Sequence, residues 1–338
     1  MKKKPIPHTA IFFRKPQSGN ISIERLFDYI IKEFPADSTY KIFISTFISR
    51  GVFKRLFNIF EAYFRRNDVN HITGDVHFLS YLLPKNKTIL TIHDCAVLER
   101  LHGIKKYIFY FFWFWLPEKR VSIITVISES TKKEVLRYIK CDEKKIRVIH
   151  DCISKEFNPV PKVFDSKMPI ILQIGTGDNK NIINVAKALS GITCHLRIIG
   201  RLSEQQIIQL TKSNINYTNS FNLSDADIVN EYIKCDVLIF ASTYEGFGMP
   251  ILEANATGRP VLTSNILSMP EVAGNAACLV NPFDIDDIRR GILKILSDEL
   301  FRGQLVTNGY INAKRFNPKN ISNQYINLYK EIHQNNNT

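Results

Sequence analysis

Short apolar runs alternate with longer segments of helical period along the whole chain. The runs are rich in Ile, Val, Phe and Thr, as are parallel strands that are buried on both faces. Strands that alternate with helices are typical of parallel α/β units. The pattern predicts strands at Thr9–Phe13, Lys41–Thr46, Asn70–Thr73, Thr88–His93, Ser122–Ile127, Arg147–Ile149, Ile170–Gly175, His195–Gly200, Ile215–Asn219, Val237–Ala241, Pro260–Ser264 and Ala277–Val280.

The predicted strands fall into two halves of similar plan. Between the halves, Phe157–Lys167 (FNPVPKVFDSK) contains two prolines and shows neither a helical period nor a strand run, as is typical of an interdomain linker. We therefore expect one domain over residues 1–160, a second over 161–315, and a last segment, 316–338, with a helix at Ile321–Ile332 and a polar tail. Ligands of open parallel sheets bind outside the carboxyl ends of the strands, so residues that follow strands are the candidates.

Composition limits the classes of function. The chain has 338 residues, 45% of them hydrophobic, and a formal net charge of +13, which indicates an anionic partner such as nucleic acid, lipid headgroups or a phosphorylated substrate. Six scattered cysteines without a C-x-x-C pair argue against a zinc module or disulfide scaffold and favour a reducing cytoplasm. The basic start, MKKKPIPHTA, lacks the apolar stretch of a signal peptide, and no apolar run reaches the length of a membrane span.

Residues 242–254 (STYEGFGMPILEA), which follow a predicted strand, hold the densest candidate chemistry. Gly246 and Gly248 allow a tight turn, and the helix after them offers free N–H groups to an anion. Glu245 precedes this helix and Glu253 lies about two turns along it, where carboxylates can accept hydrogen bonds from sugar hydroxyls. Spacing alone leaves open a glycine-rich turn with two solvated carboxylates.

The longer segment Ser242–Ile288 (STYEGFGMPILEANATGRPVLTSNILSMPEVAGNAACLVNPFDIDDI) resembles the donor-binding region of the retaining GT-B glycosyltransferases of family four. Their E-x7-E motif falls on Glu245 and Glu253, and the resemblance covers nearly the whole chain. It implies an α/β GT-B fold, with two Rossmann-like domains that face a central cleft and a C-terminal helix that crosses back to the first domain. The acceptor would bind mainly to residues 1–160 and the nucleotide sugar to 161–315.

The resemblance also assigns donor contacts in the second half, to Gly175, Thr176, Lys180, Leu223, Glu245, Gly246, Phe247, Gly248, Met249 and Glu253. Glu253 would hold the ribose, Glu245 the sugar hydroxyls, and Lys180 with the amides of 246–249 the diphosphate. An ammonium at a strand end would neutralise charge on the leaving phosphate, although Lys180 is also consistent with a solvated lysine. Thr176 replaces an arginine that the family often has there, and whether Arg201 compensates is open.

Three further assignments have structural alternatives. His93, at the end of a strand in the first half, would contact the transferred sugar, or is a structural histidine bonded to the backbone. Gly19 lies where the family has a glycine-rich loop near the donor phosphates, but this loop is poor in glycine. Leu223 would pack on the nucleotide base, or belongs to a core beside a helix N-cap. The expected catalytic set is His93, Glu245 and Lys180.

No metal and no other cofactor is expected. The triplets Asp225–Asp227 and Asp284–Asp286 have the D-x-D form that holds a divalent cation in the other main glycosyltransferase fold. Each triplet opens a predicted helix, where aspartate caps backbone N–H groups and suits the helix dipole. We therefore predict two caps, and charge on the leaving diphosphate would be met by Lys180 and helix N–H groups.

Two segments raise the question of a membrane. Arg50–Arg66 places Phe53, Leu56, Phe57, Phe60 and Phe64 at helical spacing among basic residues, as in helices that lie on anionic membranes, or in a helix that packs its stripe on the first sheet. Packing of the stripe on the first sheet is favoured over contact with a membrane. Tyr107–Leu116 (YIFYFFWFWL) is apolar all round, which predicts a buried helix more than a membrane anchor.

The sequence therefore predicts a cytoplasmic, retaining hexosyltransferase, peripheral on the inner face of the membrane where its basic helix contacts lipid. The donor would be a nucleotide-diphosphate sugar, GDP-mannose being the commonest choice in the family. The acceptor would be a saccharide, lipid-linked, in bacterial O-antigen or capsule synthesis. A sugar-nucleotide epimerase of the same architecture and an inactive GT-B scaffold are the alternatives. No helix-turn-helix, zinc or RNA-binding motif supports a nucleic-acid binder.

Overall fold

The computed structural model describes residues 6–16 and 22–336 of the chain. Contacts divide it into two compact units, one of Met1–Cys152 with Pro318–Thr338 and one of Ile153–Asn317. The first boundary thus comes before the expected one at 160/161. Within the described residues each unit contains one six-stranded parallel sheet with helices.

The strands follow the predicted positions to within two residues at each end, which confirms the α/β pattern. They are β1 Thr9–Phe13, β2 Tyr40–Ile44, β3 Val69–Ile72, β4 Thr88–Ile92, β5 Ile123–Val126, β6 Ile146–Val148, β7 Ile170–Ile174, β8 His195–Ile199, β9 Tyr217–Ser220, β10 Val237–Phe240, β11 Val261–Ser264 and β12 Cys278–Val280. Apolar residues fill both faces of the inner strands, and this double burial is why the runs are so easily recognised in the sequence.

The helices connect the strands and cover the sheets. They are α1 Ser22–Lys32, α2 Val52–Phe64, α3 Ala96–Arg100, α4 Gly103–Tyr110, α5 Leu116–Arg120, α6 Glu129–Tyr138, α7 Ile182–Leu189, α8 Glu204–Lys212, α9 Asp225–Lys234, α10 Met249–Thr257, α11 Met269–Ala273, α12 Ile285–Ser297, α13 Glu299–Arg315 and α14 Pro318–Asn335. A π-helical turn, Phe111–Trp115, joins α4 to α5, and short 3₁₀ turns lie at His77–Tyr81, Lys85–Lys87, Glu143–Lys145 and Asp178–Lys180.

Each sheet reverses its strand order at one point. The first sheet has the order β2-β1-β3-β4-β5-β6 and the second β12-β11-β10-β7-β8-β9. After β1 the chain adds β2 on one side and β3 on the other, and the same happens around β7, with β8 and β10. Ligands of open α/β sheets bind at such switch points, outside the carboxyl ends of the strands. The topology therefore points to the ends of β1 and β3 in the first unit and of β7 and β10 in the second.

The predicted linker, 157–167, belongs to the second unit. Asp236, at the amino end of β10, accepts hydrogen bonds from the backbone N–H groups of Asp165 and Ile170, at 3.2 and 2.8 Å, and forms an ion pair with Lys162. The carboxylate is fully buried, and a buried charge needs such partners. It therefore fastens the linker to the amino end of the second sheet.

The C-terminal helix α14 packs on the first unit, as the resemblance implies. His71 on β3 is fully buried, with Nδ1 2.7 Å from the Tyr329 hydroxyl and Nε2 2.7 Å from Oγ1 of Thr91. Burial lowers the pKa of His71 to about 3, so the ring is neutral and bonds the helix without a buried charge. The predicted polar tail also makes contact, because Asn336 donates to the backbone carbonyl of Asn86 at 2.8 Å.

The aromatic stripe of α2 does not pack on the first sheet, so that expectation is wrong. The buried residues of α2 are Asn58, Ile59 and Ala62, whereas Phe53 is 88% and Phe64 is 77% exposed. The Asn58 side chain donates to the carbonyl of Phe47 and accepts from its N–H, at 2.8 and 3.1 Å. This paired amide fixes the rotation of the helix and leaves the phenylalanine stripe facing outward.

The run Tyr107–Leu116 is also not buried all round, contrary to the prediction. Phe114 is buried, but Tyr107 is 64% and Phe112 is 42% exposed. The π-helical turn frees backbone carbonyls from the helical pattern. Tyr81 donates its hydroxyl to the carbonyl of Phe112, and His77 Nδ1 donates to that of Trp113, both at 2.6 Å. None of the described helices is long and apolar enough to cross a membrane.

Candidate functional site

The switch point of the second sheet brings together the loops that follow β7 and β10. The two strands pair in parallel, with Val237 opposite Ile171. Asn179 then joins their loops, because its carbonyl accepts from the N–H of Thr243 at 2.8 Å and its side-chain amide donates to the carbonyl of Tyr244 at 2.9 Å. Sequence reasoning missed Asn179, since its partners lie more than sixty residues away along the chain.

Lys180 and Glu245 form an ion pair in this place. The ammonium lies 2.5 Å from Oε1 of Glu245, and the two side chains are only 20% and 15% exposed. Gly175, which directly follows β7 and has a φ of +85°, allows this arrangement, because a Cβ there would lie 2.9 Å from Cε of Lys180. The Lys180 ammonium also lies 4.6 Å from the centroid of the Phe240 ring. Lys180 is thus in contact with two other predicted donor residues, Gly175 and Glu245.

The glycine-containing loop leads into the amino end of α10. Gly248 is the N-cap of that helix with a φ of +118°, a backbone conformation that L side chains rarely adopt. Phe247 is buried, with its ring 5.6 Å from that of Phe316. Its side chain is therefore part of the core, and only its backbone is left for a ligand. Gly246 and Met249 are partly exposed on either side.

Two buried serines form hydrogen bonds to the backbone of the loop that carries Glu245. The Ser268 hydroxyl lies 2.9 Å from the carbonyl of Glu245 and 2.7 Å from that of Phe247, and the Ser264 hydroxyl donates to the carbonyl of Ser242 at 2.6 Å. Leu267, just before Ser268, has a φ of +54°, which is unusual for a leucine. The serine-bearing turn is thus held in a strained conformation under the loop that carries Glu245.

Ser268→Ala is expected to loosen this loop without removing any predicted donor contact. The loss of one buried hydrogen bond costs about 0.5–1.5 kcal/mol, so nucleotide affinity should fall roughly two- to tenfold in calorimetric titration. Ser268→Thr should restore part of it, and Ser297→Ala, which removes a hydroxyl bonded within α12, should change nothing. Wild-type affinity in Ser268→Ala would show that the loop does not depend on this serine.

Glu253, on α10, lies beside Tyr232 of α9. The fully buried Tyr232 donates its hydroxyl to Oε2 of Glu253 at 2.5 Å. Burial raises the pKa of Glu253 to about 7, while the Tyr232 hydrogen bond and the Lys180 charge act in the opposite direction. Lys180 therefore influences both carboxylates of the E-x7-E motif. Sequence reasoning missed Tyr232, because a buried tyrosine in a helix looks like any core residue.

The remaining second-unit predictions lie around β8 and β9. The Thr176 hydroxyl donates to the carbonyl of Arg201 at 2.7 Å. The Arg201 guanidinium lies 4.9 Å from the centroid of the exposed Phe221 ring, so its charge is placed over that ring. Leu223 is half-buried in the loop before α9. The residue after it, Ser224, is the N-cap of α9 and forms a capping box with Asp227, so the N-cap of the structural alternative is present, but Leu223 itself does not belong to the buried core.

His93 belongs to the first unit, at the end of β4. Its Nε2 donates to the backbone carbonyl of Thr73 at 2.7 Å, which is the bond that the structural alternative predicted. The ring lies against Gly74, where a Cβ would be 2.6 Å from Cδ2. In the neutral form of the ring this bond places the proton on Nε2 and leaves Nδ1 as an acceptor. Gly19 lies outside the described residues.

The D-x-D triplets act at helix ends. Asp284 is the N-cap of α12 and accepts from the N–H groups of Asp286 and Asp287. In the other triplet the cap is Ser224, and Asp225 and Asp227 lie in the first turn. Across residues 6–16 and 22–336, no group of three or more His, Cys, Asp or Glu side chains is placed to hold a metal ion.

Comparison with known proteins identifies a family domain within the second unit. Residues 154–312 match the family model "Glycosyl transferases group 1". The O-antigen chain mannosyltransferase B of Escherichia coli is 42% identical over 106 residues, which are 31% of this chain and 28% of that protein. The serotype-specific mannosyltransferase WbdA of Escherichia coli is 26% identical over 277 residues, 73% of this chain and 34% of that protein. The chain thus spans about a third of the length of these curated relatives.

Solved structures agree on the fold. A sucrose-phosphate synthase from Thermosynechococcus elongatus superposes with a TM-score of 0.76 at 18% identity, over 96% of this chain and 98% of that one. Residues 154–312 thus contain a domain of the glycosyl transferases group 1 family, and the chain has the GT-B fold.

Proposed function

We propose that the protein is a retaining glycosyltransferase that moves a sugar from a nucleotide-diphosphate sugar to a saccharide acceptor. The observation that carries the proposal is the Lys180–Glu245 ion pair over Gly175, at the switch point of the second sheet. In the free protein each group neutralises the other. A bound donor would separate them, with its diphosphate taking the ammonium and its sugar hydroxyls donating to the carboxylate.

Glu253, behind this pair, would accept the hydroxyls of the donor ribose, and His93 would accept a sugar hydroxyl at Nδ1. Charge that develops on the leaving diphosphate would be met by Lys180 and by N–H groups at the start of α10. The leaving phosphate would take the acceptor proton as the acceptor attacks from the same face. The proposal needs no metal ion and no other cofactor.

GDP-mannose is the proposed donor, and synthesis of bacterial O-antigen is the proposed process. The support comes from the relatives, which are named as mannosyltransferases and, in one case, as an O-antigen chain enzyme. The proposed acceptor is a lipid-linked saccharide on the inner face of the membrane.

Thermal unfolding of the purified protein with GDP, UDP, ADP, CMP and their sugars, without added metal, tests the proposal. A ligand at about 100 times its dissociation constant stabilises the folded state by roughly 2.7 kcal/mol, so the GDP series should raise the midpoint. Release of an altered free sugar without acceptor would identify an epimerase, and binding without turnover an inactive scaffold. A folded protein that responds to none of the nucleotides would contradict donor binding.

We also propose that the first unit contacts an anionic membrane through an aromatic face, defined as the exposed apolar side chains of α2 and of the helix 103–120. Its members are Val52, Phe53, Leu56, Phe57, Phe60, Phe64, Ile104, Tyr107, Ile108, Phe112 and Trp115. The Arg55 guanidinium lies 4.6 Å from the Trp113 ring and joins the two helices. Large contiguous apolar surfaces are rare on monomeric proteins without a binding role.

Basic residues accompany this face. Arg50, Lys54, Arg66 and Lys105 are exposed beside it, while the acidic Glu61 is paired with Arg65. Apolar side chains among cations are complementary to the headgroup region of an anionic bilayer. Aromatic side chains such as Trp115 also favour that interface.

The double substitution Phe53→Ser/Phe57→Ser is expected to reduce co-flotation with phosphatidylglycerol vesicles several-fold, because it removes two apolar contacts with the bilayer. Phosphatidylcholine vesicles should bind the wild type poorly, and higher salt should weaken binding to the anionic vesicles. Phe283→Ser is the matched control, since Phe283 is 67% exposed in the second unit. Wild-type protein that stays unbound at low salt would rule the membrane contact out.

A further inference from the structure

A pocket of about 270 Å³ lies at the switch point of the first sheet. Its walls include Arg14 after β1, Asp75 after β3, and His93 with Asp94 after β4. All of these residues follow the carboxyl ends of parallel strands, where ligands of such sheets bind. The volume is slightly below the range of about 300–1,000 Å³ typical of drug-sized ligands, and it suits a single sugar ring.

The pocket is held in shape by buried polar contacts. Arg14, which is almost fully buried, donates to Glu24 at 2.8 Å and pairs with the carboxylate of Asp75. Trp113 donates its indole N–H to the backbone carbonyl of Asp75 at 3.1 Å. Asp75 itself has a φ of +55°. These contacts fix a strained residue whose side chain remains half-exposed and available to a ligand.

The charges of the wall indicate an uncharged ligand. The lining has two cations, Arg14 and Lys15, and two carboxylates, Asp75 and Asp94, and Glu24 beside Arg14 adds a further negative charge, so no positive charge is in excess. Both cations already have partners, because the Lys15 ammonium donates to the carbonyl of Thr46 at 3.0 Å. Asp94 accepts from the N–H of Ala96 through one oxygen and is otherwise exposed. The acceptor capacity that remains suits hydroxyl donors, whereas an anion would meet two carboxylates.

The pocket also has a large apolar lining. It is formed by Val76, Val97, Phe109, Trp113 and Phe114. A lining that combines carboxylates with carbon surface matches a pyranose, whose hydroxyls lie at its rim and whose C–H groups lie on its faces. Trp113 already stacks on Phe109, with ring centroids 5.1 Å apart, and the Arg55 guanidinium lies over its ring. This indole therefore contributes to the shape of the pocket and is not left to stack on the sugar.

We propose that this pocket binds a neutral pyranose of the acceptor saccharide, and that Asp75 and Asp94 accept hydrogen bonds from its hydroxyls. The proposal rests on the proposed function, which supplies the need for an acceptor. It adds the site and its selectivity for neutral over anionic sugars. His93 also lines this pocket, so it would contact both the acceptor saccharide and the sugar that is transferred.

Saturation-transfer NMR with methyl α-mannopyranoside, methyl β-glucuronide and mannose 6-phosphate tests the pocket without any turnover. The neutral glycoside should receive saturation from the wild type, and the two anionic sugars at least fivefold less. Asp94→Ala, at an exposed position, and Asp75→Asn, which keeps the shape of the side chain that pairs with Arg14, should each reduce the signal at least threefold. Asp37→Ala, in the exposed turn before β2 at the other end of the sheet, is the control and should match the wild type.

Equal signals from anionic and neutral sugars, no signal from the neutral glycoside, or wild-type signals in both pocket variants would each overturn the proposal. The same samples are titrated with the nucleotide panel. Sugar binding without any nucleotide response would refute the proposed function and leave the pocket standing. A nucleotide response that persists while both pocket variants bind sugar normally would refute the pocket alone.

Discussion

Lys180→Ala is expected to lower the turnover number by about 100-fold or more. Removal of one preorganised group that stabilises developing charge typically costs a factor of about 100–1,000. The ammonium is held at the end of β7 by Gly175 and Glu245, so its position does not have to be created during the reaction. The measurement is the initial rate of nucleotide release at saturating donor and acceptor, in parallel with thermal unfolding.

The effect on folding should be much smaller. Partly exposed ion pairs contribute about 1 kcal/mol or less, and Asn179 still donates to Glu245 when the lysine is gone. Lys187→Ala, on the exposed side of α7, controls for the loss of a positive charge and should keep full turnover. Equal losses of rate and stability in Lys180→Ala would mean that the lysine is structural.

Glu253→Ala is expected to weaken nucleotide binding by about 1–3 kcal/mol, or roughly 5- to 150-fold, because hydrogen bonds from the ribose hydroxyls to a carboxylate are lost. Calorimetric titration with GDP measures this directly. Tyr232→Phe removes only the hydroxyl that orients the carboxylate and should cost less than Glu253→Ala. Unchanged affinity in Glu253→Ala would place the ribose elsewhere.

The buried position of Glu253 adds a dependence on pH. Because burial raises the pKa of Glu253 to about 7, the folded protein holds this proton more strongly than the unfolded chain does. The resulting stabilisation is fully present below the ordinary glutamate pKa of about 4.3 and is lost as the pH rises through about 7. Denaturant unfolding at several pH values should show this loss in the wild type and a weaker one in Glu253→Gln. Parallel pH profiles would mean that Glu253 titrates normally.

The strands could be predicted because most of them carry their own signal, a short apolar run that in the inner strands is buried on both faces. The orientation of α2 could not. Its period shows an amphipathic helix, but the buried side is chosen by the amide pair between Asn58 and Phe47, a contact between two elements. The π-helical turn depends in the same way on His77 and Tyr81, which belong to a different segment.

In the candidate site too, residues with a local sequence signal could be predicted, whereas residues that act through distant contacts could not. Glu245 and Glu253 were found because they belong to one continuous motif, and Lys180 because it follows a strand in a family-like loop. Asn179, Tyr232 and Ser268 were missed, since their importance comes from partners that only the folded chain brings close. In the first unit, Asp75 and Asp94 belong to separate loops that meet at a switch point.

The docking of α14 has a consequence for the order of events during synthesis on the ribosome. The second unit is one continuous stretch, 153–317, so all of it emerges before the last helix does. Translation of the first unit starts before that of the second, yet the core around Phe27 and His71 lacks Tyr325 and Tyr329 until α14 has emerged. Of the two units, the one whose translation starts first is therefore the later to complete its fold, and a premature stop codon after residue 317 would remove α14 from that unit.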